Sequence, residues 1–100
     1  MTPEEAQAGL DALRGEIDSL DRQLLKLLNE RAAAAGQIGD IKKQMTMAIY
    51  EPKREEQVFR NVLDHNQGPL SENAVRRLFE RIIDEMRLLQ KERNSKEDRR

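Results

Sequence analysis

The sequence has no cysteine, a single histidine and only three aromatic residues in 100 positions. Without cysteine, neither a disulfide scaffold nor thiolate chemistry is available. One histidine, His65, argues against a histidine metal site or a Ser-His triad within one chain. With so few aromatics and 37% apolar residues, a solitary monomer of this length buries little, so burial by a partner subunit is expected. No run of 18 apolar residues occurs, and Met1-Thr2-Pro3-Glu4-Glu5 contains no basic segment leading into an apolar one. The expectation is therefore a soluble, cytoplasmic protein that does not engage a membrane. Neither sign of charge dominates: 18 basic and 19 acidic residues are interspersed, for a net charge of −1. That balance argues against a nucleic-acid surface and makes any anion site a local one. There is no internal repeat, Gly-rich phosphate loop or acidic metal cluster, so neither metal nor cofactor is expected.

What the chain does contain is a long helical stripe. Leu10, Leu13, Ile17, Leu20, Leu24, Leu27, Arg31, Ala34, Ile38 and Ile41 recur at alternating spacings of three and four, the pattern of one face of a helix in a coiled-coil-like seam. Arg31 stands where the pattern asks for an apolar side chain. A guanidinium there either finds an anionic partner or forfeits roughly several kcal/mol of desolvation. Beside this row, Arg14, Asp21, Leu28, Ala35 and Lys42 repeat every seven residues. Two arginines and a lysine thus border an apolar seam.

Local signals divide the chain into three helices. Thr2-Pro3-Glu4-Glu5 reads as a capping box, with Gly9 weakening the first turns. The long helix then runs from Leu10 to about Met45, about 50 Å at 1.5 Å per residue, where Thr46 to Tyr50 break the pattern. Pro52 opens a second helix to about Asn66 with Val58, Phe59, Val62 and Leu63 as its apolar face. Glu51, Arg54 and Glu55 lie on or beside that face, and they are either site residues or a solvated first turn. Asn66-Gln67-Gly68-Pro69 is a stop signal, and Ser71 caps a third helix through about Arg93. Its apolar face is Val75, Leu78, Phe79, Ile82, Ile83, Met86 and Leu89. Gln90 continues that line, either as a neutral donor deep in a site or as a frayed, solvated end. The expected fold class is all-α, with residues 1–93 one helical domain and residues 94–100 a disordered charged tail.

The spacing of the cations constrains what they bind. Arg14 and Arg31, 17 residues apart, are separated by about 25 Å on one straight helix, too far to grip one small ligand. Arg31 and Lys42 return to within about 20° of one direction over roughly 16 Å, within reach of a common small molecule. Adding Arg14 requires a second, antiparallel copy of the helix, which predicts a two-fold dimer with two equivalent sites. The ligand is then a small dianion, with arginine forks on carboxylates and Glu51 or Glu55 accepting from a hydroxyl. Ala32 to Ala35, Gly36 and Gly39 offer either close helix packing or floor space for that ligand. No nucleophile is present, so an enzyme built from this set works by positioning and electrostatic stabilisation.

These residues also carry a family resemblance. Leu13-Arg14-Gly15-Glu16-Ile17-Asp18, the run Leu24 to Arg31, Ile38-Gly39-Asp40-Ile41-Lys42, Pro52-Lys53-Arg54-Glu55, and Arg77-Leu78-Phe79 with Ile82-Ile83 resemble the all-helical AroQ-class chorismate mutases, in order, from Leu10 to Gln90. The Gly68-Pro69 turn is similar to forms fused to the first enzyme of the shikimate pathway, and the chain is either free-standing or one domain of such a fusion or docked assembly. The resemblance implies an intertwined homodimer that converts chorismate to prephenate, a step in aromatic amino acid biosynthesis, by a Claisen rearrangement without cofactor or metal. It implies that Arg31 and the partner's Arg14 bind the substrate carboxylates. Lys42 would contact a carboxylate and the ether oxygen, to which Gln90 donates from the other side. Arg54 matches a further active-site arginine, and Glu51 and Glu55 match acids that hold the ring hydroxyl. Two positions depart from the pattern: Met86 stands where some members have a small hydroxyl residue, and Glu51 replaces a commoner aspartate. Both bear on the Michaelis constant rather than on the chemistry.

Two other readings remain. An isochorismate-pyruvate lyase on the same scaffold would release pyruvate, although the set Glu51, Arg54, Glu55 and Gln90 favours the mutase. A non-catalytic helical dimerisation or regulatory module would instead pair Arg31 with Asp21 of a neighbouring chain.

Overall fold

The computed structural model describes residues 1–98, with side chains through Ser95. It contains three helices, α1 (Pro3–Gln44), α2 (Pro52–His65) and α3 (Glu72–Asp98), and no strand among the described residues. The chain divides into two compact units, Met1–Ala33 and Ala34–Arg100.

The first unit is the N-terminal part of α1. Thr2 caps it, its hydroxyl accepting from the Glu5 N–H at 3.1 Å and its carbonyl from the Ala6 N–H at 2.9 Å. These bonds satisfy backbone donors that a helix start otherwise leaves orphaned, and Gly9 is helical like its neighbours. Leu10, Leu13, Ile17, Leu20, Leu24 and Leu27 are all exposed, between 46% and 61%.

In the second unit α2 packs on α3. Glu55 meets Arg87 and Phe59 meets Arg76, so the two helices run antiparallel. The last turns of α1 lie parallel to the end of α3: the Ala35 carbonyl bonds Gln90, Asp40 pairs with Arg93, and Lys43 Nζ donates to the Asn94 carbonyl at 3.1 Å. The core is thin. Ala35, Val75 and Ile83 are its buried apolar residues, with Val58, Phe59, Val62, Leu63, Phe79 and Ile82 half-buried around them. On α1 the buried face is Ala35, Gly36, Gly39 and Lys42, while Ile38 and Ile41 from the neighbouring row are exposed. The long side chains of Gln90 and Arg93 need a floor of small residues, and only the Ala35-Gly39 row supplies one. Leu78, expected on the apolar face of α3, is exposed.

The remaining ends follow the local signals. Ser71 caps α3, its hydroxyl accepting from the Ala74 N–H at 3.1 Å. Asn66 closes the α2–α3 connection by accepting from the Gly68 N–H at 3.1 Å and donating to the Leu70 carbonyl at 2.8 Å. Gly68 takes φ 77° there, a conformation glycine adopts without steric cost. His65 is exposed near the end of α2, its Nδ1 2.7 Å from the Asn61 carbonyl. Asn94 to Asp98, expected to be disordered, continue α3, where no glycine or proline interrupts the helix. Arg99 and Arg100 lie outside the described residues.

Candidate functional site

Lys42 and Gln90 are buried, each 7% exposed, in a unit whose apolar core is small. A charged and a polar side chain reach that depth only when bonded, and the backbone around each shows how.

Lys42 lies in the last turn of α1, where the chain reverses. The Met47 N–H bonds the Lys42 carbonyl at 2.7 Å and the Thr46 N–H bonds the Lys43 carbonyl at 3.2 Å, the pairing of a Schellman C-cap. Thr46 takes the left-handed position of that cap at φ 54°, where a β-branched residue is strained. The reversal brings Ile49 and Glu51 back over Lys42. Its Nζ donates to the Ile49 carbonyl at 2.9 Å and lies 3.3 Å from Glu51 Oε1. An ammonium carries three N–H groups, so a third remains for a ligand oxygen. Glu51 is also the N-cap of α2, yet its side chain makes no capping bond. Pro52 at the first helical position has no N–H to satisfy, and the carboxylate turns to Lys42 instead.

Gln90 Nε2 donates to the Ala35 carbonyl at 2.8 Å. Because the partner is an acceptor, the NH2 end of the amide must face α1, and this fixes the orientation of the group. The second N–H of the same nitrogen is left to donate elsewhere. Gly39 makes this placement possible, since a Cβ there would sit 2.9 Å from Gln90 Cγ. Gly36 does the same for Arg93, whose Nη1 would lie 2.6 Å from such a Cβ and whose Nη2 bonds Asp40 Oδ2 at 2.8 Å. Of the two uses expected for the small-residue segment, close helix packing accounts for Gly36 and Gly39.

The other candidates are placed as follows. Glu55 is half-buried on α2, its Oε2 3.5 Å from Arg87 Nε. Arg54 is exposed, Nη1 donating to Gln57 Oε1 at 3.4 Å within its own helix, as expected of a residue beside the apolar face. Met86 is half-buried on α3, one turn before Gln90. Arg14 is exposed and Arg31 half-buried, both on the α1 segment of the first unit. Within the second unit the fold therefore brings Lys42 to Glu51 and Gln90 to the last turns of α1.

One residue of this region escaped the sequence reading. Arg87 pairs with Asp84 at 2.7 Å, approaches Glu55, and lies over the Tyr50 ring with its guanidinium carbon 5.2 Å from the centroid. The sequence signal was faint: a solvated i,i+3 pair on a helix predicts the Asp84 contact and nothing more. Among the described residues no group of His, Cys, Asp and Glu is arranged to hold a metal ion, and no helix is long and apolar enough to cross a membrane.

Comparison with known proteins adds to this geometry. Residues 13–91 match the family described as chorismate mutase type II. A chorismate mutase of Methanocaldococcus jannaschii is 31% identical over 87 residues, covering 83% of this chain and 85% of that protein. A bifunctional chorismate mutase/prephenate dehydratase of Neisseria gonorrhoeae is 46% identical over 72 residues, 72% of this chain. The chain spans about a fifth of the length of such bifunctional relatives, 19% and 22% in two of them, and the fused activity named there is prephenate dehydratase. A chorismate mutase structure from Thermus thermophilus superposes with a TM-score of 0.80 at 33% identity, over 82% of this chain and 93% of that one.

Proposed function

The chain belongs to the type II chorismate mutases, and on that premise we propose that it isomerises chorismate to prephenate in a homodimer whose two sites each take Arg14 from the neighbouring subunit. In this rearrangement an ether C–O bond breaks as a C–C bond forms, with no proton transfer and no net oxidation. What the protein must supply is a fixed substrate conformation and donors for the negative charge that builds on the ether oxygen.

The observation that carries the reading is the burial of Lys42 and Gln90, each anchored by the backbone and each retaining an N–H. Lys42 places its ammonium against a carboxylate and the ether oxygen, and Gln90 donates to that oxygen from the other side. Arg31 and the partner's Arg14 bind the carboxylates, and Arg54 is a further arginine of the site. Glu51 and Glu55 accept from the ring hydroxyl, and Met86 offers an apolar surface in place of a hydroxyl contact. The exposed leucine row of α1 supports the dimer, since burying each such side chain stabilises by roughly 1.5–3 kcal/mol. In the bifunctional relatives the mutase is named together with prephenate dehydratase, a reaction class that consumes this product, so a fused or docked enzyme of aromatic amino acid biosynthesis fits as partner.

The test is the disappearance of chorismate with purified protein and identification of the product. Prephenate without pyruvate is expected. Arg31→Ala should lose turnover while melting near the wild-type temperature, because the desolvation of its guanidinium offsets most of what its contacts contribute to folding. Mixing Arg14→Ala with Arg31→Ala chains should restore about a quarter of wild-type activity, since half of randomly formed dimers are mixed and each has one intact site. No recovery on mixing would place both arginines in the same subunit's site, and pyruvate as product would replace the mutase by the lyase.

A further inference from the structure

Arg87 is tied down on three sides. Its Nη2 meets Asp84 Oδ1 at 2.7 Å, one turn earlier on α3; its guanidinium plane lies over Tyr50 in the α1–α2 connection; its Nε lies 3.5 Å from Glu55 Oε2 on α2. Nε is buried and makes no hydrogen bond, so the approach to Glu55 is a pairing of charges whose directional bond is not closed. An arginine held by a carboxylate and an aromatic face presents its remaining edge in a fixed direction. That edge faces the Glu55 carboxylate. The carboxylate has two oxygens and about four acceptor positions, so one oxygen turned to Arg87 leaves the other to accept from a hydroxyl.

We propose that Arg87 is a positioning residue for Glu55, holding its carboxylate in the place where it receives the ring hydroxyl of the substrate. This rests on the mutase reading of the site and deepens it. Arg87 touches no reacting atom. Its effect passes through a binding contact that is equal in the ground and transition states, so it belongs to the Michaelis constant and not to turnover.

The experiment is a double-mutant cycle in the full-length chain with chorismate as substrate. Arg87→Met is expected to raise KM about tenfold and leave kcat within about twofold of wild type. Glu55→Gln should raise KM by a similar factor, and adding Arg87→Met to it should change KM by less than about twofold, because the residue acted upon is gone. Arg87→Lys keeps the charge but not the planar edge; it should raise KM about threefold, and it provides the readout if Arg87→Met does not fold. A merely structural Arg87 would lower the melting temperature and the active fraction equally in both backgrounds. Unchanged KM in Arg87→Met and Arg87→Lys, or the same rise with and without Glu55→Gln, overturns the proposal. A wild-type chain that leaves chorismate unconverted removes the mutase reading and this inference with it, whereas a converting wild type with an indifferent Arg87 removes the inference alone.

Discussion

In Met1–Ala33 the large apolar side chains Leu10, Leu13, Ile17, Leu20, Leu24 and Leu27 lie on the surface. In the second unit Val75 and Ile83 are buried, and Lys42 and Gln90 are buried to the same depth. The first region is thus rich in apolar residues it leaves in water, while the second spends a small core on holding two polar groups. The contrast separates two jobs that one heptad-like stripe conflates. The leucine row is an apolar surface that the single chain leaves uncovered, and the interior of the second unit is where a lysine and a glutamine are buried.

The sharpest way to break the comparison is a charge in the leucine row. In the proposed dimer Leu24→Glu places an unpaired carboxylate at the interface of both subunits, at a cost of several kcal/mol by the usual penalty for burying a lone charge. Light scattering should show a monomer, and turnover should disappear with the second subunit. A Leu24→Glu variant that remains dimeric and active would mean the row is not the interface.

A smaller effect distinguishes the two glycines of the second unit. Gly39→Ala drives a Cβ into Gln90 Cγ, close to the backbone of α3, where the side chain has little freedom to retreat. Turnover should fall about a hundred- to a thousandfold as the amide leaves its place, the scale of losing one donor in the transition state. Gly36→Ala meets only the far end of Arg93, which can swing aside, and should keep turnover within about threefold. Equal losses at both positions would show that helix packing, and not the placement of Gln90, is what the glycines protect.

The smallest expected effect is a gain. Thr46 occupies the left-handed cap position that glycine fills without strain, so Thr46→Gly should stabilise by about 1 kcal/mol in thermal or denaturant unfolding. A loss of stability would indicate that the Thr46 side chain is held by contacts that outweigh its backbone strain.

Much of this architecture was legible because it is local. The Thr2 and Ser71 caps, the break at Thr46 and the start at Pro52 are hydrogen bonds and ring constraints between residues within a few positions of each other, and each stands where the residue types place it. Lys42 and Gln90 were legible as members of helical rows, since a row's direction follows from spacing alone. Spacing places Arg54 only on or beside the half-buried face of α2, because residues at the edge of a face change exposure with a small rotation of the helix that spacing does not set. Arg87 was missed because its partners Glu55 and Tyr50 lie on other elements.

By itself, then, the sequence determined where the helices begin and end, which side chains share a face, and the absence of thiol chemistry, all consequences of short-range sterics and composition. Only the tertiary structure decided which row of α1 turns inward, because that depends on the size of what α3 lays against it. Gln90 and Arg93 require the space above Gly39 and Gly36, and this steric demand sends Lys42 into the interior and leaves Ile38 and Ile41 in water.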